Sequence, residues 1–228
     1  MSDRYWRYEI ASAPTEGRNV VEQAVMGSQS ELFDVPLQGP EGFVYVAEFI
    51  TPHEESELLQ HIQALPLEEA RYKEYTARRR TFVFGSEYDF ERNALDPAPP
   101  LPEFLLPLRA RVAQWAGLPT EAFVHCLVSE YRPGAPLGWH RDVAEFEVIV
   151  GVSLADAARM RLRRFRPDGG NRREDIVTMP LQPRSAYLMR GAARWDWQHS
   201  ISATDALRYS ITFRTARKVS NVGSQVTA

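Results

Sequence analysis

From Ala122 to Thr215 the hydrophobic period of the chain is two, and no other feature constrains its fold as strongly. AFVHCLVSEY (122–131), EFEVIVGVSL (145–154), RMRLRRF (159–165), EDIVTM (174–179), SAYLM (185–189) and ALRYSITFRT (206–215) all alternate apolar and polar residues. Successive side chains on a strand point to opposite faces, so each run reads as a short strand with one face buried. RPGAPLG, FRPDGG and QPRS supply turn signals between them. Short antiparallel strands of this kind bury their apolar faces by closing into a barrel or stacking as a sandwich.

The first half reads differently. Residues 1–40 scatter Gly, Ser, Pro and Gln without a period and are expected to form a partly ordered lead-in. GFVYVAEFI (42–50) reads as a strand. TPHEESELLQHIQAL (51–65) reads as a helix, with Thr51 as N-cap, Pro52 in the first turn and Glu54 and Glu55 at the positive dipole end. Leu58, Leu59, Ile62 and Leu65 give it one apolar face, and His53 and His61 are expected in solvent. RRRTFVFGSEYDF (78–90) reads as a basic loop or hairpin and DPAPPLP (96–102) as a connection. PEFLLPLRARVAQWAGL (102–118) reads as a second helix, interrupted by Pro107 and ended near Gly117. Helices followed by strands suggest helices packed on the β structure, with the tail 216–228 beyond it.

Composition narrows the class. The 228 residues are 44% hydrophobic and 25% charged, the balance of a globular protein. No apolar run reaches the length of a membrane span, and the N-terminus lacks a secretory profile. The single cysteine, Cys126, rules out an internal disulfide framework and fits a buried hydrophobe. A monomer in a reducing cytosol, with no membrane partner, is expected. Net charge is −3, but residues 1–70 carry 13 acidic and 3 basic residues while 71–228 carry 17 and 24. The basic charge clusters at Arg78–Arg80 and between Arg159 and Arg173, where Arg159, Arg161 and Arg163 share one strand face. Such clusters fit a phosphate-bearing partner, or a solvated face paired with the acidic N-terminal region.

The chemistry concentrates in three places. In the last strand Arg208, Ser210, Thr212 and Arg214 share a face, opposite Tyr209, Ile211 and Phe213. Whether that strand is central or at an edge is open from sequence. Were the polar face interior, two arginines there would be costly without an anion. Ser129 and Tyr131 share a face of the strand 122–131 and can both donate to such a ligand. His125 has the same parity and reads as a structural histidine. His140 and Asp142, two apart, project to one side of extended backbone, and His199 follows 59 positions later. Two imidazoles and a carboxylate with open positions opposite are the facial set of non-haem Fe(II) oxygenases. A zinc hydrolase can use the same three, but has no use for the paired arginines.

SEYRPGAPLGWHRD, ARWDWQHSI and RYSITFR together resemble the AlkB family of Fe(II)- and 2-oxoglutarate-dependent dioxygenases. RRRTFVFGSEYDF resembles that family's nucleotide-recognition lid, and GFVYVAEFITPHEESELL its opening strand and helix. The resemblance covers roughly residues 40–215. It implies one dioxygenase domain over 41–215, α+β but mainly β, with a double-stranded β-helix (jelly-roll) core and supporting N-terminal helices. It implies Fe(II) on His140, Asp142 and His199, with 2-oxoglutarate and O2 completing the site. Arg208, helped by Tyr131, matches the arginine for the distal carboxylate of 2-oxoglutarate, and Arg214 the second arginine, near Asp142. Ser129 and Ser210 stand where many members have Asn, and Thr212 lies between the arginines on their face. Ala144 occupies a position where some members have a base-contacting Asp. The implied substrate is alkylated DNA or RNA, with Phe82, Phe84 and Tyr88 expected to stack on the base and Arg80 and Arg161 to contact the nucleic acid. Two other readings stay open: the same chemistry on a protein side chain or small molecule, or a nucleic-acid-binding module with a vestigial site.

Overall fold

A computed structural model describes residues 39–217, apart from 73–74, 90–91, 93, 168–169 and 171–174. The lead-in is outside the described residues up to position 38, as is the tail from 218. Helix α1 (Pro52–Gln63) begins as its sequence dictates. Thr51 Oγ1 accepts from the Glu54 amide, and Glu54 reaches back to the Thr51 amide at 2.8 Å, closing a capping box. Helix α2 (Leu106–Ala116) follows a single 3₁₀ turn at Glu103–Leu105. Pro107 therefore opens this helix rather than interrupting it, because an amide in the first turn needs no intrahelical partner. Gly117 ends it with φ 68°, the left-handed conformation that glycine adopts without steric cost. A third helix, α3 (Gly191–Trp195), is little more than one turn. No helix among the described residues is long and apolar enough to cross a membrane.

Among the described residues there are thirteen strands: β1 (Phe43–Val46), β2 (Glu68–Tyr72), β3 (Tyr75–Phe84), β4 (Ser86–Asp89), β5 (Ala94–Pro97), β6 (Phe123–Tyr131), β7 (Leu137–His140), β8 (Phe146–Leu154), β9 (Ala158–Arg164), β10 (Val177–Leu181), β11 (Ala186–Met189), β12 (Trp197–Ile201) and β13 (Arg208–Ala216). They form a seven-stranded sheet in the order β1-β11-β8-β13-β6-β3-β2, a four-stranded sheet β10-β9-β12-β7, and the hairpin β4–β5. All the pairings are antiparallel. The six strands expected from alternation are present. β2, β5, β7 and β12 are additional, being short or carrying mixed patterns. The basic segment 78–90, expected as a loop or hairpin, has its first part in β3, hydrogen-bonded to β6 within the large sheet, and Ser86–Asp89 in β4.

Two apolar layers hold this jelly roll together. α1 and α2 cover one face of the large sheet, where Leu58, Ile62, Leu105 and Val112 meet Val128, Val152, Ile211 and Phe213. Met160, Leu162, Met179 and Leu181 of the small sheet pack on Ile149, Tyr187 and Met189 of the large one. β13 is central, between β6 and β8. Its apolar side chains enter the helix layer, so its polar face necessarily points between the two sheets.

Candidate active site

A cavity opens between the sheets, and the polar face of β13 is its floor: Arg208, Ser210, Thr212 and Arg214 all line it. Pairing with β6 sets Arg208 opposite Tyr131 and Ser210 opposite Ser129, which also line the cavity. The small sheet supplies the facing wall. His140 and His199 are direct cross-strand partners, their ring centroids 4.2 Å apart. A β-bulge follows, since His199 pairs with His140 but Ile201 pairs with Leu137. The extra residue lets Leu137 and His140, three apart, both face the cavity. Asp142 lies just beyond β7 and completes the group, with its Oδ2 3.8 Å from His199 Nε2.

Electrostatics tie these parts together. Arg214 donates through Nε to Asp142 Oδ1 at 2.8 Å, and its Nη2 lies 2.7 Å from the same oxygen. Burial alone would raise the Asp142 pKa, but Arg214, then His199, His140 and Arg194, outweigh it and hold the carboxyl ionised well below its usual range. Burial lowers both imidazoles, His199 to about 3, so each ring is neutral and able to offer a lone pair. His140 Nδ1 sits 2.9 Å from the Gly138 carbonyl, which leaves Nε2 as its free nitrogen. Burial, then the charge of Asp142, raises the Tyr187 phenol to about 12, keeping it a neutral donor beside the cavity.

Three residues lining this cavity each leave a buried polar atom without a hydrogen-bond partner: Asp142 its Oδ2, Arg79 its Nε, and Arg208, only 1% exposed, its Nη1. Arg208 Nε donates to Ser153 Oγ at 3.2 Å, and its guanidinium carbon lies 4.9 Å from the Tyr131 ring centroid. A guanidinium buried this way demands an anion, and a carboxylate fits its fork. Two neutral imidazoles and one carboxylate oxygen facing a shared space fit a divalent transition metal. The donor set thus suits Fe(II) and a dicarboxylate together. By residue type the set is suitable, but as the side chains stand no group of three or more His, Cys, Asp or Glu among the described residues is placed to hold a metal ion.

Sequence reasoning missed three residues here. Arg194 of α3, 3% exposed, donates to the carbonyls of Asp142, Val143 and Phe146 at 3.2, 2.6 and 2.8 Å, clamping the turn that carries Asp142. It lies in the ARWDWQHSI segment, but no local pattern marks an arginine that caps carbonyls some 50 residues away. Tyr187 faces the cavity, a placement its parity in SAYLM permits but does not require. Arg79 lines the cavity and leaves its buried Nε without a partner.

Three expectations are corrected. Arg80 does not face the site: it makes a bidentate pair with Glu130 of β6, at 2.8 and 2.7 Å. Phe84 is buried in the layer under the helices, and Phe82 packs against that layer with the two rings 4.9 Å apart. The register of β3 on β6 causes this, since Arg80, Phe82 and Phe84 pair with Glu130, Val128 and Cys126, the helix-facing residues of β6. Tyr88 is half-buried on β4 and pairs with Leu95. Arg161 is half-buried on the outer face of β9. His125 is buried, its Nδ1 against the Ser86 carbonyl, as its structural reading expected. His53 is in solvent, while the exposed His61 stacks on Phe104 with centroids 4.6 Å apart.

A two-sheet jelly roll with an inward His-x-Asp, a distal His and paired arginines defines an oxygenase of the Fe(II) and 2-oxoglutarate class. The chain belongs to the 2OG-Fe(II) oxygenase superfamily, whose family model matches residues 42–214, and within it to the AlkB-like 2-oxoglutarate-dependent dioxygenases. It is 30% identical over 155 residues to the alpha-ketoglutarate-dependent dioxygenase AlkB of Escherichia coli, covering 63% of this chain and 68% of that one. It is 27% identical over 194 residues to the mouse tRNA (carboxymethyluridine(34)-5-O)-methyltransferase ALKBH8, covering 81% of this chain, and 28% identical over 236 residues to the Arabidopsis thaliana alkylated DNA repair protein ALKBH8 homolog, covering 94%. The chain spans 28% of the mouse relative's length and 65% of the Arabidopsis one. The structure of OsALKBH1 shares the fold, with a TM-score of 0.63 at 17% identity over 76% of this chain and 96% of that one.

Proposed function

We propose that this chain oxidatively demethylates N-alkylated bases of DNA or RNA, turning 2-oxoglutarate and O2 into succinate and CO2 and releasing the alkyl carbon as formaldehyde. The buried, partnerless Nη1 of Arg208 carries this reading, because it calls for a carboxylate at the floor of a cavity whose far wall holds two histidines and an aspartate. His140, Asp142 and His199 would hold Fe(II), which when bound supplies the activation of O2 that the side chains cannot.

The chain's own residues do the rest. Arg208 binds the distal carboxylate of 2-oxoglutarate, with Tyr131 beside it. Arg214 fixes the Asp142 carboxylate and keeps it charged. Ser129, Ser210 and Thr212 offer hydroxyl donors along the cosubstrate; serine is shorter than the Asn found in many members, so these side chains reach less far. Leu137, Met160 and Ile201 wall the cavity with apolar surface and limit water. A base in a duplex must leave the stack to enter this cavity, and Tyr88 and Arg161 are the residues we assign to receiving the strand that carries it. The names of the AlkB-like relatives, which include alkylated DNA repair and a tRNA modification, support a nucleic-acid substrate.

Two measurements test this: succinate formed from 2-oxoglutarate, and formaldehyde released from a panel of methylated DNA and RNA oligonucleotides. Both should depend on Fe(II). Succinate without formaldehyde from any oligonucleotide would move the substrate to a protein side chain or small molecule. Neither product would leave a binding module with a vestigial site.

A further inference from the structure

The four strands of the small sheet contain no Asp or Glu and four arginines, Arg159, Arg161, Arg163 and Arg164. On β9 the alternation is strict: Ala158, Met160 and Leu162 are buried against the large sheet, so Arg159, Arg161 and Arg163 project outward. Their outward neighbours are neutral, Thr178 and Pro180 on β10 and Gln198 and Ser200 on β12. Three like charges on alternate residues of one strand repel. Elsewhere the fold cancels such charge with carboxylates, as with Arg80 on Glu130, Arg111 on Glu54 and Arg184 on Glu48. Among the described residues, Arg159, Arg161 and Arg163 have no carboxylate partner.

Two of these guanidiniums are nonetheless held in place. Arg161 and Arg163 lie over the ring of Trp139, 5.1 and 4.3 Å from its centroid. Nε of Arg161 donates to Ser200 Oγ at 3.2 Å and Nε of Arg163 to Gln198 Oε1 at 2.9 Å. Stack and hydrogen bond hold each arginine by its flat face and stem side while leaving its charge uncancelled. The pattern continues past the end of β7, where the exposed Arg141 lies 3.9 Å from the centroid of Phe165. Trp139 and Arg141 flank His140 in sequence, so the outer stripe ends at the residue whose ring enters the cavity.

We infer that the outer face of the small sheet is a phosphodiester-binding platform that leads a nucleic-acid strand toward the His140 end of the sheet. This rests on the nucleic-acid reading given above. Outward residues on one strand are about 6.6 Å apart, so the three arginines span roughly 13 Å of bound backbone. Arginine rather than lysine suits this, since a guanidinium stacks on Trp139 and still presents a fork to a phosphate. Pre-ordering by the stack lowers the entropy lost on binding.

The test is fluorescence anisotropy of a long, unmodified, labelled single-stranded oligonucleotide with the full chain, across a salt series. Arg161→Gln with Arg163→Gln should weaken binding about tenfold and lower the log–log salt slope by about 0.7–0.9 for each phosphate that is no longer neutralised. Trp139→Leu, which removes no charge, should also weaken binding by freeing the guanidiniums. Arg184→Gln, which removes one such charge from a carboxylate-paired site, should leave the slope where it is. Unchanged affinity and slope in the double variant overturn the platform, and so does equal displacement of the oligonucleotide by polyglutamate, which assigns the face to an acidic protein segment. Formaldehyde separates this from the activity. If wild type demethylates but the double variant binds as wild type, the platform fails and the activity stands. If binding falls as expected while wild type demethylates no oligonucleotide, the activity fails and the platform stands.

Discussion

Arg214 engages one oxygen of Asp142 and leaves the other, Oδ2, buried without a partner. The pair thus commits half of the carboxylate to structure and keeps half for the space shared with His140 and His199. Removing the arginine should strand a buried charge, an effect of about 3–5 kcal/mol. Arg214→Ala is therefore expected to lose that much in urea denaturation, and the Arg214→Ala, Asp142→Ala double variant less than the sum of the two single losses.

Asp142→Ala or His140→Ala alone should abolish succinate formation while circular dichroism stays that of a folded chain, because neither side chain belongs to the apolar layers that hold the sheets together. Chelation should do the same to wild type, with activity restored by Fe(II) and not by Zn(II). Wild-type turnover in either variant contradicts the metal assignment.

Arg208→Ala should raise the KM for 2-oxoglutarate about tenfold or more, since a charge-assisted hydrogen bond to the carboxylate contributes about 1.5–3 kcal/mol. Arg208→Lys should recover only part of this, because an ammonium lacks the guanidinium fork. An unchanged KM in the alanine variant counts directly against the assignment.

A methyl group at Gly151 would come within 2.4 Å of the Tyr187 ring. Tyr187 is buried and stacks on Phe43, so the ring has little room to move. Gly151→Ala should destabilise the fold by about 1–3 kcal/mol through overpacking. Because Tyr187 also lines the cavity, the same variant should raise the 2-oxoglutarate KM.

Glu54 titrates at about 2 rather than 4.5, through its hydrogen bonds to Arg111 and then to Thr51. A depressed carboxyl pKa contributes stability that is complete above 4.5 and lost as pH falls toward 2. Both partners are about a third or more exposed, so solvent screening limits the effect to about 1 kcal/mol or less. Glu54→Gln should lower Tm above pH 4.5, and the gap from wild type should close as pH approaches 2.

Local rules made much of the molecule legible from its residues. Thr51, Pro52 and Glu54 mark the start of α1 because a capping box needs only neighbours three apart. Alternation in β6, β8, β9 and β13 assigns faces because the strand period is two. It therefore puts Arg208, Ser210, Thr212 and Arg214 together without any knowledge of pairing. His140, Asp142 and His199 are recognisable by spacing and side-chain type.

What alternation cannot say is which face meets which neighbour, and there only the tertiary structure decided. The register of β3 on β6 sent Phe82 and Phe84 under the helices and gave Arg80 to Glu130, although in sequence the same residues serve equally well as a base-stacking lid. The bulge between β7 and β12 turned both Leu137 and His140 inward and left Trp139 outside with the arginines of β9. Arg194 reached the turn holding Asp142 from about 50 residues away. Each of these depends on segments far apart in the chain meeting in space. Capping, turn chemistry and strand period are written within a few residues, whereas sheet order and register emerge only when the apolar faces of all the strands are buried at once.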